Sequence, residues 1–124
     1  MGRYFKLIGK MAVQCDSLME WAEWIGSSTK RVAFDEIEGV EVSTIFLGLN
    51  HNFSGKGDPL LFETMVFFPE EGSGTMWRYF TWAEAEAGHK EILDSVKQQL
   101  AEANTVTLET IRKLIKTENY NGNS

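Results

Sequence analysis

Residues 42–68 read VSTIFLGLNHNFSGKGDPLLFETMVFF. Two runs rich in β-branched and aromatic residues flank a glycine-rich loop, so each run fits a strand and the loop joins them. The second run, 60–68, is almost continuously apolar, which predicts a central strand covered on both faces. Its lone carboxylate, Glu63, and the loop's His51, Asn52, Phe53 and Lys56 are either packing details with hydrogen-bond partners or the lining of a site.

Working outward, RVAFDEI (31–37) and VEVSTIFLGL (40–49) flank Glu38–Gly39, the pattern of a β-hairpin. After the turn region PEEGSGT comes MWRYF (76–80), a further strand. RYFKLI (3–8) reads as a short first strand that ends in a Gly9–Lys10 turn. The order of the segments from 31 to 80 predicts an antiparallel meander of about four strands.

Helical signals stand on either side. Asp16 or Ser17 reads as an N-cap, and Ser17 with Glu20 makes a capping box. Leu18, Trp21, Ala22 and Ile25 follow at helical spacing, and Gly26 closes the segment. Trp24 falls off that stripe and is expected at an oligomer interface. Thr81 and Glu84 form a second capping box, ahead of Trp82, Ala85, Ile92, Leu93, Val96 and Leu100 on one helical face. Asn104–Thr107 are expected to break this helix, with Leu108, Ile111, Leu114 and Ile115 marking a shorter last one. The fold class is therefore α+β, a mainly antiparallel four- or five-stranded sheet with packed helices. One domain is expected over 1–118, with a helical extension at 104–118 and a flexible tail at 119–124.

The totals bound the function. A chain of 124 residues supports a single hydrophobic core. Its net charge of −6 argues against general binding to DNA or RNA, which needs a basic face. Positioned cations can still hold an anion: Arg3, Lys6 and Lys10 near the start, and the pair Lys30–Arg31. A single cysteine, Cys15, excludes an internal disulfide and a multi-cysteine zinc site, and fits a cytoplasmic setting. No signal peptide is read at the start, and no apolar run approaches the ~18 residues of a membrane span.

Each chemically capable residue has an ordinary reading beside a functional one. His51 is a loop histidine bonded to backbone, or a proton shuttle. His89 is a satisfied core histidine tying helix to sheet, and Gly88 before it admits a close neighbour. Glu63 needs a partner, because an unpaired buried charge is costly, and Arg78, Arg31 or a histidine could supply one. The spacing of His51, Glu63 and His89 contains no HxxxH or HxH element, so a metal site is not indicated. Ser43, Thr44 and Cys15 lie in no nucleophile motif, and the GKG of NFSGKGDP does not open a helix as a phosphate-binding loop would. No cofactor is implied. Binding fits better: loop amides with Lys56 suit a phosphate, and Phe53 or Trp82 suit a base.

The stretch VSTIFLGLNHNFSGKGDPLLFETMVFF, with RYFTWAEAEAGHKEIL and LMEWAEW…RVA, resembles a widespread family of small phage-encoded proteins. That family carries VSTVFLGLDH…PLLFETMVF…RY-TW-EA--GH. The likeness covers residues 3–95. The chain departs from it at Asn50, where the pattern has Asp, and Lys56 lies in a variable part of the loop. The resemblance implies a nucleotide sponge that sequesters a cyclic oligonucleotide signal of bacterial immunity without cleaving it, in the cytoplasm of the infected host. His51, Asn52, Phe53, Glu63, Arg78, Trp82 and His89 then become ligand contacts, Arg31, Lys56 and Arg78 meet phosphates, and a homo-oligomer with no membrane partner is expected. An inhibitor of a host defence enzyme acting through its acidic surface, a small phosphodiesterase and a virion component are the rival readings.

Overall fold

The computed structural model of this chain describes residues 2–70 and 74–122, with side chains through Ile115. Its elements run β1 (Phe5–Ile8), β2 (Met11–Gln14), α1 (Leu18–Ser27), β3 (Arg31–Ile37), β4 (Val40–Phe46), β5 (Phe62–Phe67), β6 (Thr75–Tyr79) and α2 (Trp82–Gly122). The chain divides into two compact units, residues 1–93 and 94–124. The class is α+β, with a four-stranded antiparallel sheet in the order β3-β4-β5-β6 and a separate two-stranded hairpin, β1-β2. The meander at 31–80 is thus the one its turn signals predict.

The β3–β4 turn needs two residues in the left-handed region, and Glu38 (φ 50°) and Gly39 (φ 83°) supply them. That geometry matches the twist of the flanking strands. Glycine adopts it freely, whereas Glu38 does so at a cost. Residues 71–73 of the predicted PEEGSGT turn lie outside the described residues.

Three expectations need correction. Of the four- and five-stranded alternatives the four-stranded one holds, because RYFKLI does not join the main sheet. It pairs instead with Met11–Gln14, a segment for which no strand is predicted from the sequence. β1 is docked to the main sheet beyond its end by backbone bonds, Phe5 N–H to Gly48 O at 2.9 Å and Asn50 N–H to Arg3 O at 2.8 Å. Second, α2 runs unbroken through Asn104–Thr107, on to Gly122. The hydroxyls of Thr105, Thr107 and Thr110 each donate to the carbonyl four residues back, at 2.9, 3.0 and 2.9 Å. This satisfies within the helix the groups expected to disrupt it. Third, β5 is covered on both faces only over its first half, and opens at Met65 and Phe67.

Helix α1 starts where the capping box places it, with Glu20 N–H donating to Ser17 Oγ at 3.1 Å. It packs across Gly48, whose carbonyl accepts the Trp21 indole N–H at 2.9 Å. Gly48 holds φ 76°, and a Cβ there would also press on Ile25 Cδ1 at 2.7 Å, so the position favours glycine. Trp24 meets Phe46 edge-on with ring centroids 5.5 Å apart. It packs against the core of its own chain and keeps part of its surface open. The core comprises Phe5, Phe46, Leu61, Phe62 and Ala85, with Val32, Tyr79 and Trp82 packed around it.

Candidate functional site

Eight of the nine predicted site residues fall into three groups. In the first, His89 is buried at 4% exposure on α2. Its Nδ1 lies 2.7 Å from Thr44 Oγ1 and its Nε2 2.8 Å from Asp35 Oδ2. Thr44 in turn contacts the hydroxyl of Thr64. With a neutral ring, Nε2–H donates to Asp35, Nδ1 accepts from Thr44, and Thr44 accepts from Thr64, so every polar atom has its match. The order carboxylate, imidazole, hydroxyl resembles a hydrolytic triad, but Thr44 has no exposed surface for a substrate to reach. Its geometry is that of the core histidine tying helix to sheet. Gly88 admits Tyr79, whose ring occupies the space a Cβ would take.

The second group is a row across the sheet. β-Pairing aligns Arg31, Ile45, Glu63 and Arg78, on the face opposite Thr44, Thr64 and His89. Glu63 is 8% exposed, and Arg78 Nε donates to its Oε2 at 3.1 Å. The lone carboxylate in the apolar strand therefore has a cross-strand ion partner. Arg31 lays its guanidinium 4.5 Å from the centroid of the Phe34 ring.

The third group is the loop. Asn52 is spent on shaping it: its amide donates to Lys56 O and Asp58 O, both at 2.8 Å, and its Oδ1 accepts from Ser54. His51 Nδ1 bonds Leu49 O at 2.9 Å, and its ring lies 5.9 Å from that of Phe53. Phe53 is 72% exposed, with Arg3 6.0 Å from its ring centroid. Lys56 is exposed. Asn50, not among the predicted residues, organises this segment by accepting N–H bonds from Asn52 at 2.8 Å and Leu60 at 3.1 Å.

The cavity lies elsewhere. A cleft of about 790 Å³ opens between the β1–β2 hairpin, residues 58–62 and the start of α2. Its size falls within the ~300–1,000 Å³ typical of small-molecule sites. Ile8, Met11, Pro59, Leu61 and Phe80 make it largely apolar, and Lys10, Asp58 and Thr81 are its polar members. Lys10 Nζ stands 5.8 Å from the centroid of the Trp82 ring. Trp82 alone of the nine predicted residues lines the cleft; its indole N–H donates to Glu86 Oε2 at 3.0 Å, which fixes the ring. The sequence signal for this site was the β1–β2 hairpin itself, whose exposed Ile8 and Met11 have no packing role on a single-strand reading.

Among the described residues no helix is long and apolar enough to cross a membrane. Comparisons with protein-family models, with curated proteins and with solved structures gave no match.

Proposed function

We propose that this protein binds a cyclic oligonucleotide immune second messenger and sequesters it uncleaved, as a phage counter-defence protein acting as a homo-oligomer in the infected host's cytoplasm. Two things support the reading: the resemblance of residues 3–95 to the phage family, and the cleft. The observation that carries it is the pairing of an apolar wall with Lys10 and Trp82 at the start of a helix. A base fits the apolar wall beside Phe80 and Trp82, where aromatic stacking is worth roughly 1–3 kcal/mol. A phosphate fits Lys10 beside the amino end of α2, whose dipole favours an anion. Asp58 can accept from a ribose hydroxyl or an exocyclic amine.

The test is calorimetry of the purified protein against a panel of cyclic di- and trinucleotides, followed by heat denaturation and chromatography of the released ligand. Saturable binding, intact ligand on release, and at least tenfold weaker binding by Lys10→Glu and Trp82→Ala are expected. Altered ligand would mean an enzyme. No binding across the panel would reject the sponge and favour the inhibitor of a host defence enzyme.

A further inference from the structure

Burial along β4 alternates without exception: Val40, Val42, Thr44 and Phe46 are closed, Glu41, Ser43 and Ile45 partly open. The closed side carries the core and His89. The pairing registers arrange the open side in three rows across the sheet: Arg31, Ile45, Glu63, Arg78; then Phe34, Ser43, Met65, Met76; then Glu36, Glu41, Phe67. A bulge between Arg31 and Ala33 turns Arg31 onto the side of Phe34, so that Val32 can face the core. The middle row is mostly apolar, with Phe34 38% and Met76 51% exposed. One flanking row carries two guanidiniums against one carboxylate, and the other carries two carboxylates.

We propose that this open face is the interface of a homodimer, whose two-fold axis runs along the row Phe34–Ser43–Met65–Met76. A sheet laid face to face on its copy with strands aligned has its two-fold axis either along the strands or across them. Rotation about the strand direction would set Arg31 over the partner's Arg78, like charge on like. Rotation about the middle row instead sets Arg31 over the partner's Glu36, one strand from the partner's Glu41, and does so twice by symmetry. The apolar row then meets itself at the ~10 Å spacing of stacked sheets, where side chains interdigitate. The charge pattern selects the second arrangement, because like charges juxtaposed at an interface are strongly disfavoured. Four strands at ~4.8 Å spacing and about five residues deep make a small patch, so the dimer dissociates on dilution. The inference goes beyond the nucleotide reading and does not depend on it.

Sedimentation equilibrium of the full chain over a wide concentration range tests it, with circular dichroism to verify folding of each variant. The wild type is expected to dimerise reversibly. Arg31→Glu and Glu36→Arg should each weaken the dimer by at least about tenfold. The double variant R31E/E36R should return to within about threefold of wild type, because the reversed charges meet again across the axis. A wild type that stays monomeric overturns the proposal. So does an oligomer indifferent to both single reversals, or a double variant weaker than either single one.

Discussion

Glu38 holds a backbone conformation at φ 50° that costs a side-chain-bearing residue ~1–2 kcal/mol, so the hairpin turn is an accessible place to gain stability. Glu38→Asn, which creates the favoured Asn-Gly pair, should raise stability by about 0.5–1 kcal/mol, read as a higher urea midpoint with an unchanged slope. The opposite sign is expected at His89. Replacing it by Phe keeps a ring of similar size but removes the partners of Thr44 and Asp35, and should cost ~1–3 kcal/mol in the same titration. The Glu38–Gly39 turn was legible because both residues are adjacent in the chain. The network Asp35–His89–Thr44–Thr64 was legible only in part, as a core histidine. Its members are up to 54 residues apart, and strand register rather than spacing brings them together. The same holds for Glu63: the need for a partner follows from its apolar strand, but choosing Arg78 over Arg31 required the register of β5 on β6.

At the scale of elements, α1 is fastened to β1 by Lys6 and Glu20, whose Nζ and Oε1 are 2.9 Å apart. The hydrogen bond from Lys6, helped by the Asp16 amide, holds the Glu20 carboxyl below its ordinary value of 4.5. A carboxyl lowered in the folded state stabilises above its unfolded value, and that contribution is lost as pH falls through the lowered one. The protein should therefore lose stability on the acid side of about 4.5, and Glu20→Gln should flatten that part of the pH–stability curve. Both groups are on the surface, so salt should weaken the effect as well. Helix α2 gives a second test. Its threonines back-bond to the helix and lower its propensity without breaking it, so Thr107→Ala should strengthen the helix by up to ~0.7 kcal/mol, seen as greater far-UV ellipticity. The capping boxes of both helices could be read from four residues each. The continuity of α2 could not, because Asn-Thr-Val-Thr looks like a breaker unless its hydroxyls can be seen to bond within the helix.

At the scale of the whole molecule, the two surfaces to which the proposed nucleotide would bind differ in a bulk property. The sequence points to Arg31, Lys56 and Arg78 for phosphates, but the fold spreads these over an open sheet face and a loop, while among the described residues the cleft offers one cation, Lys10. Each cation–phosphate contact contributes a log–log salt slope of about −0.7 on a single-stranded ligand. Three contacts would weaken binding on the order of a hundredfold over a tenfold rise in salt, whereas one would cost at most roughly fivefold. The molecule's net charge of −6 acts in the other direction, since salt screens its long-range repulsion of an anionic ligand and recovers part of that loss. Binding in the cleft, driven by stacking on Trp82, should therefore be nearly indifferent to salt, and Lys10→Gln should leave a weaker binding that strengthens as salt rises. Isothermal titrations at several salt concentrations would measure it. A steep slope that survives Lys10→Gln but falls with Arg31→Gln or Arg78→Gln would place the phosphates on the sheet face. That face would then be a ligand surface in competition with the dimer, and nucleotide and self-association would displace one another.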